Sequence, residues 1–135
     1  MKRNKYLFLS ICVILFAVIA CQKGSGNGGT EQNLVVETLP LANGHVEAAA
    51  PGPDFPLTVT IKSTMPGGGV KIDVTAKPDG GVVAFFSSSK TTSAATTSFT
   101  ITGTTAGVVS LVEFTVTSVS NSSNTWKGSY KYSRK

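Results

Sequence analysis

The chain has 135 residues, with twelve basic and seven acidic side chains, two cysteines and a single histidine. One histidine excludes a histidine pair for zinc, and with only His45 in a proline-rich stretch no triad or Cys-His site can be composed. Lys2, Arg3 and Lys5 all fall in the opening segment, so the remainder carries nine basic against seven acidic residues, and the basic balance is no argument for nucleic acid binding.

Met1 to Ala20 begins with Lys2-Arg3-Asn4-Lys5 and continues as an apolar run from Tyr6 to Ile19. A basic start, an apolar run short of the roughly 20 residues of a membrane span, and a small residue at the end are the parts of a secretory signal. The run closes on Val18-Ile19-Ala20-Cys21. It thereby resembles a bacterial lipoprotein signal, which implies removal of residues 1–20 and lipid attachment at Cys21. The implied address is the cell envelope, lipid-anchored at the outer membrane, on its periplasmic face or at the cell surface, and the implied partner is the membrane itself. With Cys12 in the signal and Cys21 lipidated, no pair is left for an internal disulfide, and packing alone must hold the domain.

Residues 21–32 follow as the lipidated cysteine and a tether. Gln22 to Thr30 has four glycines and no apolar side chain, and its root-mean-square span is roughly 15–18 Å. Residues 33–56 hold a possible first strand, Leu34–Leu39, ended by Pro40, and then a connection broken by Pro51, Pro53 and Pro56.

From residue 57 to 135 the period is two. Leu57, Val59 and Ile61 alternate with Thr58, Thr60 and Lys62; Val70, Ile72, Val74 and Ala76 alternate with Lys71, Asp73, Thr75 and Lys77. This alternation predicts half-buried strands. Pro78-Asp79-Gly80-Gly81 predicts a turn, and the apolar run Val82–Phe86 predicts a central strand. Ser87–Ser98, almost all Ser, Thr and Ala, reads as a solvated connection or an edge. Phe99 and Ile101, then Val112, Phe114 and Val116, mark two further strands. Asn121–Asn124 turns the chain into a last strand with Trp126, Gly128, Tyr130 and Tyr132 on one face and Lys127, Ser129, Lys131 and Ser133 on the other. No helical period follows Cys21. The expectation is an all-β, antiparallel sandwich.

Ser98-Phe99-Thr100-Ile101-Thr102-Gly103, Ala106-Gly107 and Val112-Glu113-Phe114-Thr115-Val116-Thr117 resemble the region from strand E to strand F of fibronectin type III domains. The resemblance implies a single immunoglobulin-like or fibronectin III-like sandwich, with Ser110 at the place of the tyrosine that ties its corner. Small lipoproteins of Bacteroidetes-type bacteria with a Gly/Ser tether and one such domain are similar in layout. The family implies attachment or interaction rather than one ligand.

No catalytic residue, metal ligand set or cofactor motif emerges. Asp73 and Glu113 are the carboxylates that neighbouring strands could bring to one outward face, and single acids on strands usually serve solvation. Trp126, Tyr130 and Tyr132 are the candidate ligand-binding residues, a stacking platform for a glycan if exposed. The lysines on the opposite face make the aromatic face the inward one. Three function classes follow: a lipid-anchored, non-catalytic binding or adhesion module with a protein or glycan partner, its contacts in Ser87–Ser98 and Thr104–Gly107; a structural or pilin-like subunit that adds Leu34–Leu39 or Trp126–Tyr132 to a neighbour's sheet; and an enzyme, for which the sequence offers least.

Overall fold

The computed structural model describes residues 30–135. The signal at 1–20, Cys21 and the tether up to residue 29 lie outside the described residues. Seven strands form two antiparallel sheets: β1 (Val36–Leu39), β2 (Phe55–Ile61), β3 (Val70–Pro78), β4 (Phe86–Thr92), β5 (Thr96–Ile101), β6 (Val109–Ser118) and β7 (Thr125–Ser133). One sheet has the order β1-β2-β5 and the other β4-β3-β6-β7. The all-β sandwich expected from the alternation is the fold observed.

The period-two stretches become the centre of each sheet because they alone supply an unbroken apolar row. Leu57, Val59 and Ile61 of β2 face Val70, Ile72, Val74 and Ala76 of β3 and Val112, Phe114 and Val116 of β6 across one common core. Each fully buried aliphatic side chain contributes about 1.5–3 kcal/mol. Phe99 and Ile101 extend the core under β5. The intervening Thr, Lys and Asp side chains turn outward, which fixes register, since a slip by one residue would exchange the two sets.

The packed unit begins well before residue 57. Leu34 is buried in the core, and β1 pairs with β2 from Val36 opposite Ile61 to Leu39 opposite Thr58. The proline-rich connection is ordered as well. Its segment Gly44–Ala50 runs parallel to β7: the Gly44 and Glu47 amides donate to the Ser129 and Lys131 carbonyls, the Lys131 amide donates to the His45 carbonyl, and the Ala50 amide donates to the Ser133 carbonyl. The N-terminal region thus joins both sheets, β1 on one and this strap on the other.

The apolar run Val82–Phe86 is not a central strand. The Gly81 amide closes a turn onto the Pro78 carbonyl, with Gly80 at a φ of 77° that favours glycine. β4 begins only at Phe86, opposite Ala76. Residues 82 and 83 therefore pass beyond the end of the sheet, where no opposing layer can bury them. Ser87–Ser98 is an edge, as one of the two expectations had it: most of it forms β4 and the start of β5, and the two strands sit at the same side of different sheets.

At the corner between β5 and β6, Ser110 is buried and lies directly opposite Tyr132 on β7. The fibronectin III resemblance puts the place of a corner-tying tyrosine at Ser110. Here a ring comes from the adjacent strand: Tyr132 packs at a 45° tilt on Phe55, centroids 4.2 Å apart, and its hydroxyl is hydrogen-bonded to that of buried Thr104. The small Ser110 leaves the room that the Tyr132 ring fills.

Candidate functional site

The two ends of the sandwich differ. At one pole lies the first described stretch, Thr30–Leu34, and a buried asparagine holds it. The Asn124 carboxamide accepts from the Leu34 amide at 2.9 Å and donates to the Glu31 carboxylate at 2.6 Å and the Gln32 carbonyl at 2.9 Å. The other Glu31 oxygen accepts from the Ser118 hydroxyl at 3.0 Å, and the Gln32 side chain accepts from the Thr64 amide. Asn124 reads in sequence only as a turn residue; that it satisfies three groups near the entry is visible only in the fold. A shallow depression beside this entry is lined by Glu31, Gln32, Thr64, Met65 and Pro66.

The opposite pole is about one strand length away, roughly 33 Å for a ten-residue strand such as β6. It carries the loop between β3 and β4 and the crossover from β5 to β6. Val82 is 94% exposed and Val83 75% exposed at the tip of the first loop, and Val108 and Val109 are also exposed nearby, the Val109 carbonyl accepting from the Asp79 amide at the base of that loop. Thr104 within the expected contact loop Thr104–Gly107 is buried, so that loop offers its flanking residues, not Thr104, to a partner. A pair of adjacent exposed valines was hidden in sequence by its resemblance to a buried strand.

The aromatic residues do not form a platform. Tyr130 is 1% and Tyr132 2% exposed, and the rings of Phe114, Tyr130 and Tyr132 lie 6.1 to 6.2 Å from one another along the chain of contacts. Trp126 is half-buried over Gly128, its ring 5.7 Å from that of Phe114. A Cβ on Gly128 would come within 2.7 Å of the Ala42 Cβ and would strike the indole, so glycine is what lets the ring fold back. The face predicted to point inward does so. Burial pushes the Tyr130 phenol well above its ordinary pKa, with the neighbouring Tyr132 and the Glu47 carboxylate adding to the rise. Burial likewise raises Tyr132, opposed by its bond to Thr104. Among the described residues the buried Tyr130 hydroxyl has no hydrogen-bond partner.

The carboxylates on the outward face of the four-stranded sheet are each matched by a lysine. Glu113 accepts from Lys77 at 2.7 Å, Asp79 from Lys131 at 2.9 Å, and Asp73 from Lys71 at 3.1 Å. The Ser89 hydroxyl across the strand pair, together with Lys71, holds the Asp73 carboxyl below its usual range. Asp73 and Glu113 thus stand as two separate ion pairs on adjacent strands. A shallow depression over β6 and β7 is lined by Glu113, Thr115, Lys127 and Ser129. Among the described residues no three His, Cys, Asp or Glu side chains gather to hold a metal, and His45 lies exposed in the strap beside β7. The chain matches no family model, no curated protein and no solved structure.

Proposed function

We propose that this chain is a lipid-anchored, non-catalytic binding or adhesion module of the cell envelope, held by lipid on Cys21, and that its sandwich is a divergent immunoglobulin-like or fibronectin III-like one. The observation that carries the reading is polarity. The tether feeds into a clamped entry at one pole, and the most exposed large apolar side chains among the described residues, Val82 and Val83, stand at the other. Loops on a rigid scaffold are where recognition is usually placed, and these are the loops an anchored domain holds away from its membrane. Seven strands split three and four support the fold family; relative to the immunoglobulin constant arrangement, the fourth strand has moved to the other sheet.

The anchor is tested by membrane fractionation of cells producing the Cys21→Ala chain. Release into the soluble fraction supports it, and retention at the wild-type level refutes it. Protease added to intact cells then assigns the face: digestion of residues 31–135 places the domain outside, and protection places it in the periplasm.

A structural subunit is the second reading, and the sheet edges bear on it. Addition through Trp126–Tyr132 would have to displace the strap, because Gly44–Ala50 already occupies the β7 edge from Ser129 to Ser133. Addition through the first strand is limited to the four residues of β1.

A further inference from the structure

A sandwich of two open sheets has four edges, and an unprotected edge is a template for pairing with another chain. Three of the four are managed here by recognisable devices. The β7 edge is covered by the strap from Ser129 to Ser133. β1 is only four residues long. Across the β5 edge lies the Lys90 side chain, whose ammonium donates to the Ser98 carbonyl at 2.7 Å and rests 4.6 Å from the centre of the Phe99 ring.

β4 is neither covered nor short, and its one recognised device is an inward-pointing lysine. It runs seven residues, Phe86–Thr92, in unbroken register with β3 from Thr92 opposite Val70 to Phe86 opposite Ala76. It contains neither proline nor glycine, and among the described residues no backbone hydrogen bond reaches its outer side. Its one charge, Lys90, is directed toward β5.

We propose that the β4 edge is a strand-addition interface whose occupant is β4 of a second copy of this chain. The sequence of the strand is self-complementary in the antiparallel sense. Centred on Ser89, the pairing places Ser89 opposite its counterpart, Ser87 opposite Thr91, Ser88 opposite Lys90, and Phe86 opposite Thr92. Ser and Thr side chains opposite one another can hydrogen-bond across the ladder, whereas like charges would repel; no like charges meet in this register. The small Ser88 leaves space for the Lys90 stem it faces. The two four-stranded sheets become one of eight strands, within the range of open sheets. Each copy offers the same strand to the other, so the pairing is isologous, uses both β4 edges and closes at two. Antiparallel pairing also sets the two entry poles at opposite ends, the geometry of copies presented from facing surfaces. The interface itself does not depend on the anchor.

The test uses the purified Cys21→Ala chain in solution, where copies meet in any orientation and the described domain holds no cysteine to interfere. Residues directly opposite in an antiparallel pair have Cα atoms about 4.5–5.5 Å apart, inside the range a disulfide spans. Mild oxidation of its Ser89→Cys derivative is expected to give a reducible dimer, with none from the parent or from Thr100→Cys on the exposed face of β5. In purified Ser87→Lys/Thr91→Lys chain, like charges meet twice across the pair and the dissociation constant rises about tenfold by sedimentation. Ser87→Lys/Thr91→Glu restores association. No dimer from Ser89→Cys overturns the proposal, as does dimerisation through Thr100→Cys alone.

Discussion

Two tyrosines two residues apart are predicted to answer the same substitution in opposite ways. Tyr132→Phe removes the partner of the Thr104 hydroxyl, which is itself buried. A buried hydroxyl left unpaired costs about 1–3 kcal/mol, so this variant is expected to be less stable by about that amount. Tyr130→Phe removes a hydroxyl that is buried and has no partner. Nothing is broken and a desolvated polar atom is lost, so this variant is expected to match or exceed the parent by up to about 1 kcal/mol. The rings and their contacts with Phe55 and Phe114 remain in both. The assay is urea denaturation of the purified Cys21→Ala chain and its two derivatives. With a slope of about 1–3 kcal/mol per molar, Tyr132→Phe shifts the midpoint down by roughly 1 M and Tyr130→Phe leaves it or raises it. If Tyr130→Phe lowers the midpoint as far as Tyr132→Phe, the Tyr130 hydroxyl has a partner, and the reasoning is wrong.

The same phenols set the alkaline limit. Burial favours their neutral forms, so both ionise above 10.0 when folded and near 10.0 when unfolded. Stability is complete below that pH and falls above it by about 1.4 kcal/mol per pH unit for each tyrosine; Tyr130→Phe should unfold at higher pH than the parent in a fluorescence titration. Gly128→Ala should destabilise by about 1–3 kcal/mol through overpacking against Trp126 and Ala42, with a shift in tryptophan emission as the indole is displaced; unchanged emission and midpoint would refute the close approach. Asn124→Ala should cost about 2 kcal/mol and lower amide exchange protection at Leu34 and through β1 before the rest of the sheet. Uniform loss across all strands would show that Asn124 does not act locally on the entry.

Much of the fold can be read from side chains, because β2, β3, β6 and β7 each bury one face and wet the other. Val59 between Thr58 and Thr60 announces both the strand and its inward side. The reading fails where that alternation carries no information. Val82–Phe86 is apolar throughout, and without a polar partner to mark the other face it looks alike whether buried or exposed; only the sheet's end decides that Val82 is wet. β4 shows the converse, a strand with Ser and Thr on both faces, which as an edge buries little on either. The Gly44–Ala50 strap pairs through backbone groups, which every residue has, so nothing in its side chains announces it. The inward face of Trp126, Tyr130 and Tyr132 was legible from Lys127 and Lys131 across the strand. The Asn124 clamp was not, because its partners Glu31, Gln32 and Leu34 lie about 90 residues away.

The direction of the entry segment has a mechanical consequence. From the clamp at Glu31, β1 runs toward the far pole, and the strap follows β7 in that same direction. If the chain is anchored below Glu31 as proposed, tension between that anchor and a load gripped at the far loops pulls along these strands. The β1–β2 bonds and the strap–β7 bonds are then sheared together instead of being peeled one by one, and the first part of the domain to feel the pull is the part stitched to both sheets.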